Sequence, residues 1–324
     1  MAYPCVSKGG RQVGRKSGIA FSGTIALAVL AAVGSEIASA RAAAPDPESG
    51  AGLAGWTSLT LTASKAMIFS ASSTLGVADG TDSESGRPAV VFTTRSRATL
   101  LGAVAFEEQT TSHIDRGTMR PVELLQIRPG ESARRFRFLA GSAGLVRQTS
   151  WEPPPDKPSI PFEQWRQVET EDRRFTYSDG SGPASGEWLT DFYSLIYLLS
   201  DIDLDEAAAG PREFTTIYRR HLVRIRVVPG ERRQGERKAR NEETGQDETL
   251  RLRERRIKLK PLGDDAGSFR GLMGMQGESE IWLDEQSGAL LELNGRAAGF
   301  GETQVLLASF RRSAGGSTPL PPSP

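Results

Sequence analysis

Apolar and polar residues alternate at every second position over long stretches of this chain, and that period commits most of it to β-structure with one dry face. Leu59, Leu61, Ala63, Met67 and Phe69 alternate with Thr60, Thr62, Ser64 and Ser70. Val90, Phe92, Ala98, Leu100, Val104 and Phe106 stand against Thr93, Arg95, Arg97, Thr99 and Glu107. Each run reads as a long strand, with residues 78–88 as a turn-rich loop between the two. Residues 122–127 form the next strand, and Phe136 and Phe138, set between arginines, pair with 145–151 across an Ala/Gly/Ser turn to make a hairpin. Residues 152–161 (EPPPDKPSIP) read as a stiff surface connector, and 173–177 as one more short strand.

The second half continues the period. Val223, Ile225 and Val227 alternate with Arg224 and Arg226, and Pro229-Gly230 punctuates the strand. Residues 231–248 are charged, mixed in sign and almost free of apolar side chains, which predicts a solvated hairpin extension. The apolar phase then slips from even numbers (Leu250, Leu252) to odd (Ile257, Leu259), and a β-bulge near Arg255–Arg256 accommodates the slip. Two successive turns, at 284–288 and around 299–301, predict three antiparallel strands ending in 303–310.

One segment breaks the period. Residues 188–199 (WLTDFYSLIYLL) place Trp188, Leu189, Phe192, Leu195, Ile196 and Leu199 on one side of a helix, with Thr190, Asp191 and Ser194 opposite. A helix embedded among one-sided strands buries its apolar stripe against the sheet. The expected fold is therefore mainly β: a curved antiparallel sheet, an open half-barrel, with one helix plugging its concave face. Those six side chains are the candidate lining of an apolar-ligand site, the alternative being a filled core.

The ends carry a different signal. Lys8, Arg11, Arg15 and Lys16 precede an apolar run from Ile19 to Val33, and Ala38-Ser39-Ala40 follows. This is the pattern of a secretory signal peptide cleaved after Ala40, so the expected location is the periplasm or the exterior. Residues 41–55 read as a flexible lead-in, 56–312 as one domain, and 313–324 as a Gly/Ser/Pro tail. Cys5, the sole cysteine, lies in the leader, so the mature chain has neither disulfide nor thiolate chemistry and relies on packing. Of 40 basic and 40 acidic residues, the four leader cations and Glu36 fall in the first 40 positions, leaving 36 and 39. Such neutrality argues against nucleic acid as a partner.

The inventory for chemistry is thin. His113 and His221 are the only histidines and lack metal-ligand spacing, so both are expected at the surface and no metal is expected. Asp201, Asp203 and Asp205 fall short of a calcium loop, because Glu206 and Arg212 stand where glycine and a bidentate acid are needed. There is no G-x-S-x-G elbow and no phosphate loop, and Gly271, Gly274 and Gly277 have no dinucleotide-binding spacing. No catalytic residue and no cofactor are expected. A hydrolase built on spatially paired carboxylates is the remote alternative.

Three stretches carry a resemblance. Leu125-Gln126-Ile127-Arg128-Pro129 leads to Arg134-Arg135-Phe136-Arg137-Phe138; Asp191-Phe192-Tyr193-Ser194-Leu195-Ile196-Tyr197-Leu198-Leu199 fits a helix motif; and Glu280-Ile281-Trp282-Leu283-Asp284-Glu285-Gln286-Ser287-Gly288 fits a hairpin motif. Their order resembles the domain-of-unknown-function family 3108, exported bacterial proteins, over roughly residues 56–312. This chain has Ala289-Leu290-Leu291 where family members often carry a proline, and the 231–248 insertion is long. The resemblance implies a fold similar to the periplasmic lipoprotein carriers, an envelope location and an apolar cavity, with no catalytic residues. Independently of the resemblance, the expected partners are a lipid or other apolar ligand such as an acyl chain, envelope proteins and a peripheral membrane contact. The alternative function is an envelope structural or interaction module.

Overall fold

The computed structural model describes residues 53–313, apart from 66–68, 83, 140–143, 185–188, 201–211, 219–220, 268 and 298–300. The expected leader, most of the lead-in, the 313–324 tail beyond Ser313, Trp188 and the Asp201–Asp205 triad lie outside the described residues.

The chain is mainly β. Its strands are β1 (Trp56–Lys65), β2 (Phe69–Thr81), β3 (Pro88–Leu100), β4 (Ala103–Asp115), β5 (Pro121–Arg128), β6 (Ser132–Phe138), β7 (Leu145–Glu152) and β8 (Arg166–Arg174). The two-residue β9 (Leu189–Thr190) and the helix α1 (Phe192–Leu198) come next. Then follow β10 (Arg212–Tyr218), β11 (His221–Asn241), β12 (Asp247–Leu262), β13 (Met275–Asp284), β14 (Leu290–Ala297) and β15 (Gly301–Arg312). All belong to one sheet, ordered β8-β7-β6-β5-β4-β3-β2-β1-β15-β14-β13-β12-β11-β10-β9. Neighbours are antiparallel except β9, which runs parallel to β10 through Thr215 and Thr216. The far end of β11 also pairs with β15, Arg240 opposite Ser309 and Asn241 opposite Phe310, so β11 to β15 close a ring inside the larger open sheet. The curved sheet with one helix expected from the alternation is the fold observed.

Several boundaries differ from the sequence reading, each for a local reason. The two long runs are antiparallel strand pairs: Lys65 pairs with Phe69, and Leu100 pairs with Ala103 across Leu101-Gly102. The residues between the paired strands, 66–68 and 101–102, carry no polar side chain, so neither stretch breaks the alternation. β2 runs on to Thr81, which shortens the expected 78–88 loop to a turn closed by Asp82, whose carboxylate accepts from Ser85 and Arg137. The domain extends before Trp56, because Leu53 is fully buried and its carbonyl accepts from the Trp56 amide. β8 precedes the expected 173–177 strand, and Phe175 leaves the sheet to pack on Phe136 in a satellite cluster.

The largest correction concerns the charged segment. β11 continues through Pro229-Gly230 instead of ending there, since Gly230 and Glu231 stand together opposite Arg256 in a bulge. That bulge is where β12 changes phase, with Leu252 and Glu254 buried before it and Ile257 and Leu259 after. Beyond it residues 231–248 form the expected hairpin, exposed over most of their length, but its inward side is paired. Arg237 donates to Glu254 at 2.7 Å and to Glu292 at 2.7 Å, and Glu254 is fully buried. Arg233 also donates to Glu254 and lies 3.6 Å over the Trp282 ring. Burial pushes the Glu254 carboxyl up, but the hydrogen bonds from Arg237 and then Arg233 outweigh it and hold the group below its ordinary value. A Cβ on Gly235 would stand 2.5 Å from Glu254 Oε1, so only glycine leaves room for this pair. Arg233 and Arg237 thus tie the hairpin to the buried carboxylates of β12 and β14.

Candidate functional site: a cavity beside the helix

Strand register sets the concave face out in rows. Across β2, β3 and β4 these read Val77-Phe92-Ser112, Leu75-Thr94-Thr110, Ser73-Ser96-Glu108 and Ala71-Ala98-Phe106. The dry face is therefore not uniformly apolar. A band of buried hydroxyls crosses it, Ser73 Oγ to Ser96 Oγ at 2.8 Å and Thr94 Oγ1 to Thr110 Oγ1 at 2.7 Å, each satisfying its neighbour. On one side of the band lies the packed core, with Leu59, Leu75 and Phe92 at 0–1% exposure.

On the other side the space is not filled. A cavity of about 910 Å³ is lined by Phe69, Ala98, Phe106, Leu124, Phe136, Phe192 and Phe269, with Glu108, Gln126, Arg128, Arg134, His221 and Arg270 among its polar contributors. It is within the range of small-molecule pockets, ~300–1,000 Å³. The Phe192 and Phe269 rings meet edge to face at 5.4 Å between centroids, and Tyr218 stands 4.9 Å from Phe269. A Cβ on Gly271 would come within 2.7 Å of the Phe192 ring, so glycine there lets the backbone close against the aromatic wall. Arg128, Glu131, Arg134, His221 and Arg270 are exposed and form the rim.

The helix enters this wall through Asp191. Its carboxylate caps α1, accepting from the Tyr193 amide at 3.0 Å and the Ser194 amide at 2.8 Å, and also receives the Ser194 hydroxyl. Ser112 Oγ of β4 donates to it at 3.2 Å, tying helix to sheet. Burial pushes the Asp191 carboxyl above its ordinary value, against the pull of these hydrogen bonds. Two residues on, the Tyr193 hydroxyl donates to Glu108, whose other oxygen accepts from Gln126 at 2.8 Å and Arg128 at 3.2 Å. Burial and then the Glu108 charge push the Tyr193 phenol well above its ordinary value, so it stays a donor. The site offers aromatic surface at its base and ionic groups at its edge, of which Glu108 and Arg128 pair with each other.

Of the six expected lining residues, Trp188 lies outside the described residues, and among the five described Phe192 alone lines the cavity. Leu195, Ile196 and Leu199 are 0%, 4% and 2% exposed in the main core, and Leu189 belongs to β9 and packs on the satellite cluster. The helix is shorter than 188–199 because Leu189 and Thr190 pair with β10 instead. It is buried nearly all round: Asp191, Thr190 and Ser194, expected on a wet face, are at most 1% exposed. His221 is exposed at the start of β11, whereas His113 is half-buried within β4. Sequence reasoning missed Glu108, Arg128, Arg134 and Arg270. For Glu108 a signal existed, since it shares strand parity with Phe106 and a carboxylate in the dry register asks for partners.

The motifs behind the family resemblance hold the fold together. Asp191 caps the helix, Trp282 takes the Arg233 guanidinium, and the buried Asp284 receives the Ser287 amide to close its turn. Trp56 Nε1 donates to the Ser287 carbonyl at 3.1 Å, and Gly288 comes so near Ser200 that a Cβ would stand 2.1 Å from it.

Among the described residues no cluster of three His, Cys, Asp or Glu is arranged to hold a metal ion, and no helix is long and apolar enough to cross a membrane. No family model and no curated protein matches the chain. Two solved structures are similar at low identity. One is a β-barrel-like protein of domain of unknown function DUF1849 from Brucella abortus, 13% identical, covering 82% of this chain and 100% of its own, with a TM-score of 0.41. The other is a porin-like protein from Bacteroides uniformis, 9% identical, covering 78% of this chain and 97% of its own, with a TM-score of 0.25.

Proposed function

We propose that this chain is an exported, non-catalytic binding protein of the cell envelope that holds an amphipathic molecule, a lipid or acyl chain with a polar head, in the cavity beside α1. The observation that carries this is the division of the lining, with phenylalanines from β2, β4, β6, α1 and the segment before β13 at the base and arginines, glutamates and His221 at the rim. Burying an alkyl chain there gains ~0.8 kcal/mol per methylene while the head keeps polar contacts. Export by a leader cleaved after Ala40 and membership of the domain-of-unknown-function family 3108 are parts of the same proposal.

The test is titration with a fluorescent fatty acid. Saturable one-to-one binding is expected, weakened at least about tenfold by Ala98→Trp, which fills the cavity from β3 at a loss of contact worth over ~1.4 kcal/mol. Failure of any single-chain amphiphile to saturate, or indifference to Ala98→Trp in a folded variant, overturns the reading. A second reading, a structural or interaction module, draws on the filled core beneath Leu195, Ile196 and Leu199. It gains if the cavity takes up only water.

A further inference from the structure

The β3–β4 turn combines two unfavourable features that closing a hairpin does not require. Leu101 and Gly102 form a two-residue connection with φ of +52° and +80°, a geometry that ordinarily selects Asn-Gly or Asp-Gly. Leucine in the left-handed region is strained, whereas asparagine tolerates it. That leucine is also 78% exposed. Leu100 and Val104 beside it are 38% and 49% exposed, so three of the five exposed large hydrophobic residues among those described crowd one turn. Ala103 and Ala105, also exposed, extend the apolar surface.

The turn also stands clear of its neighbour. β4 pairs with β5 only from Gln109 onward, so residues 103–108 have no strand on that side. At ~3.3 Å per residue they carry the tip roughly 20 Å past the last pair. At the base of this projection Ala98, Ala105 and Phe106 line the cavity, so the knob borders the cavity.

We propose that this knob inserts into the interfacial layer of a lipid bilayer and seats the cavity at the membrane surface. A protein partner is a poorer fit, because three side chains on one turn fall far short of the ~800 Å² per partner of a stable interface. Arg97, exposed on β3 three residues before Leu100, has no salt bridge among the described residues and suits anionic headgroups. A knob this small anchors weakly and reversibly, which fits transient docking and not residence. The insertion requires no ligand in the cavity, so its failure and the failure of the binding reading are separate results.

The test uses residues 41–324, which contain the whole compact unit Glu48–Pro324 and no cysteine. Leu101→Cys carrying an environment-sensitive fluorophore is mixed with vesicles of phosphatidylcholine and phosphatidylglycerol. Val168→Cys, on the 49% exposed Val168 of β8, is the control. A blue shift at position 101 and none at 168 is expected. In co-sedimentation, unlabelled Leu101→Asn should partition about tenfold less than the parent, the factor for one buried leucine, while unfolding at the same or higher denaturant because the turn strain is relieved. No shift at 101, or equal partition of parent and Leu101→Asn, overturns the proposal. So does self-association that Leu101→Asn abolishes in a chain that ignores vesicles, which would make the knob a contact between copies.

Discussion

Replacing Asp191 with alanine should cost roughly 3–5 kcal/mol of folding stability. The loss of a helix cap accounts for ~1 kcal/mol. The carboxylate also serves the Ser112 and Ser194 hydroxyls at a site that is 1% exposed, and stranding each adds ~1–2 kcal/mol. Asparagine keeps the geometry, accepting both backbone amides through its oxygen and donating to a hydroxyl, so Asp191→Asn should cost less than ~1.5 kcal/mol. Urea unfolding followed by tryptophan fluorescence measures both. The pH dependence carries a sign. Burial holds the Asp191 carboxyl above its ordinary 3.8, so the folded state binds the proton more tightly than the unfolded one. Stability from this group is full below 3.8 and declines as pH rises through the raised value. Asp82, held low first by Arg137 despite some desolvation, acts in the opposite direction, but it is common to parent and variant and cancels in their difference. The parent should therefore gain on Asp191→Asn as the solution is acidified towards 3.8. An alanine cost below about 1 kcal/mol, or a difference that grows with rising pH, would refute the view of α1 as a plug pinned to β4 by a buried cap.

Gly235→Ala should lose about 1–3 kcal/mol because its Cβ meets Glu254 at 2.5 Å, and replacing Glu254 as well by alanine should recover most of it in a double-mutant cycle. Arg237→Met should cost about 2–4 kcal/mol by removing one of the two arginines of Glu254 and the 2.7 Å ion pair of Glu292, which keeps Asn294 and Gln304 as donors. Glu254 and Glu292 are held below their ordinary 4.5, so their contribution is present above that value and lost as pH falls through the lowered ones; the Arg237→Met profile should be flatter there, as acid titration of stability would show. Gly288→Ala should lose more than about 2 kcal/mol in thermal or urea unfolding, since a φ of +66° and Ser200 at 2.1 Å both oppose a side chain.

What the sequence made legible was the part written in short-range order. Alternation in β1, β3 and β11 placed Leu59, Phe92 and Ile225 inward correctly, and the turn at Asp284–Gly288 was readable from its own residues. What failed depended on partners distant in the chain. Leu101-Gly102 hid a hairpin because its residues are apolar and break no pattern. Pro229-Gly230 looked like an end because a bulge can be recognised only against Arg256 on the other strand. The exposed hairpin of 231–248 was legible, but not the pairing of Arg237, because its counter-charges, Glu254 and Glu292, lie outside the segment. Phe192 was legible as a site residue through helical spacing, whereas Phe69, Phe106, Phe136 and Phe269 meet it only through the sheet order.

Native mass spectrometry of the protein purified without detergent tests the cavity assignment most directly. A population one amphiphile heavier than the bare chain should be present, and absent from Ala98→Trp prepared alongside. Bare chain alone in the parent, or the same added mass on both proteins, would contradict the account.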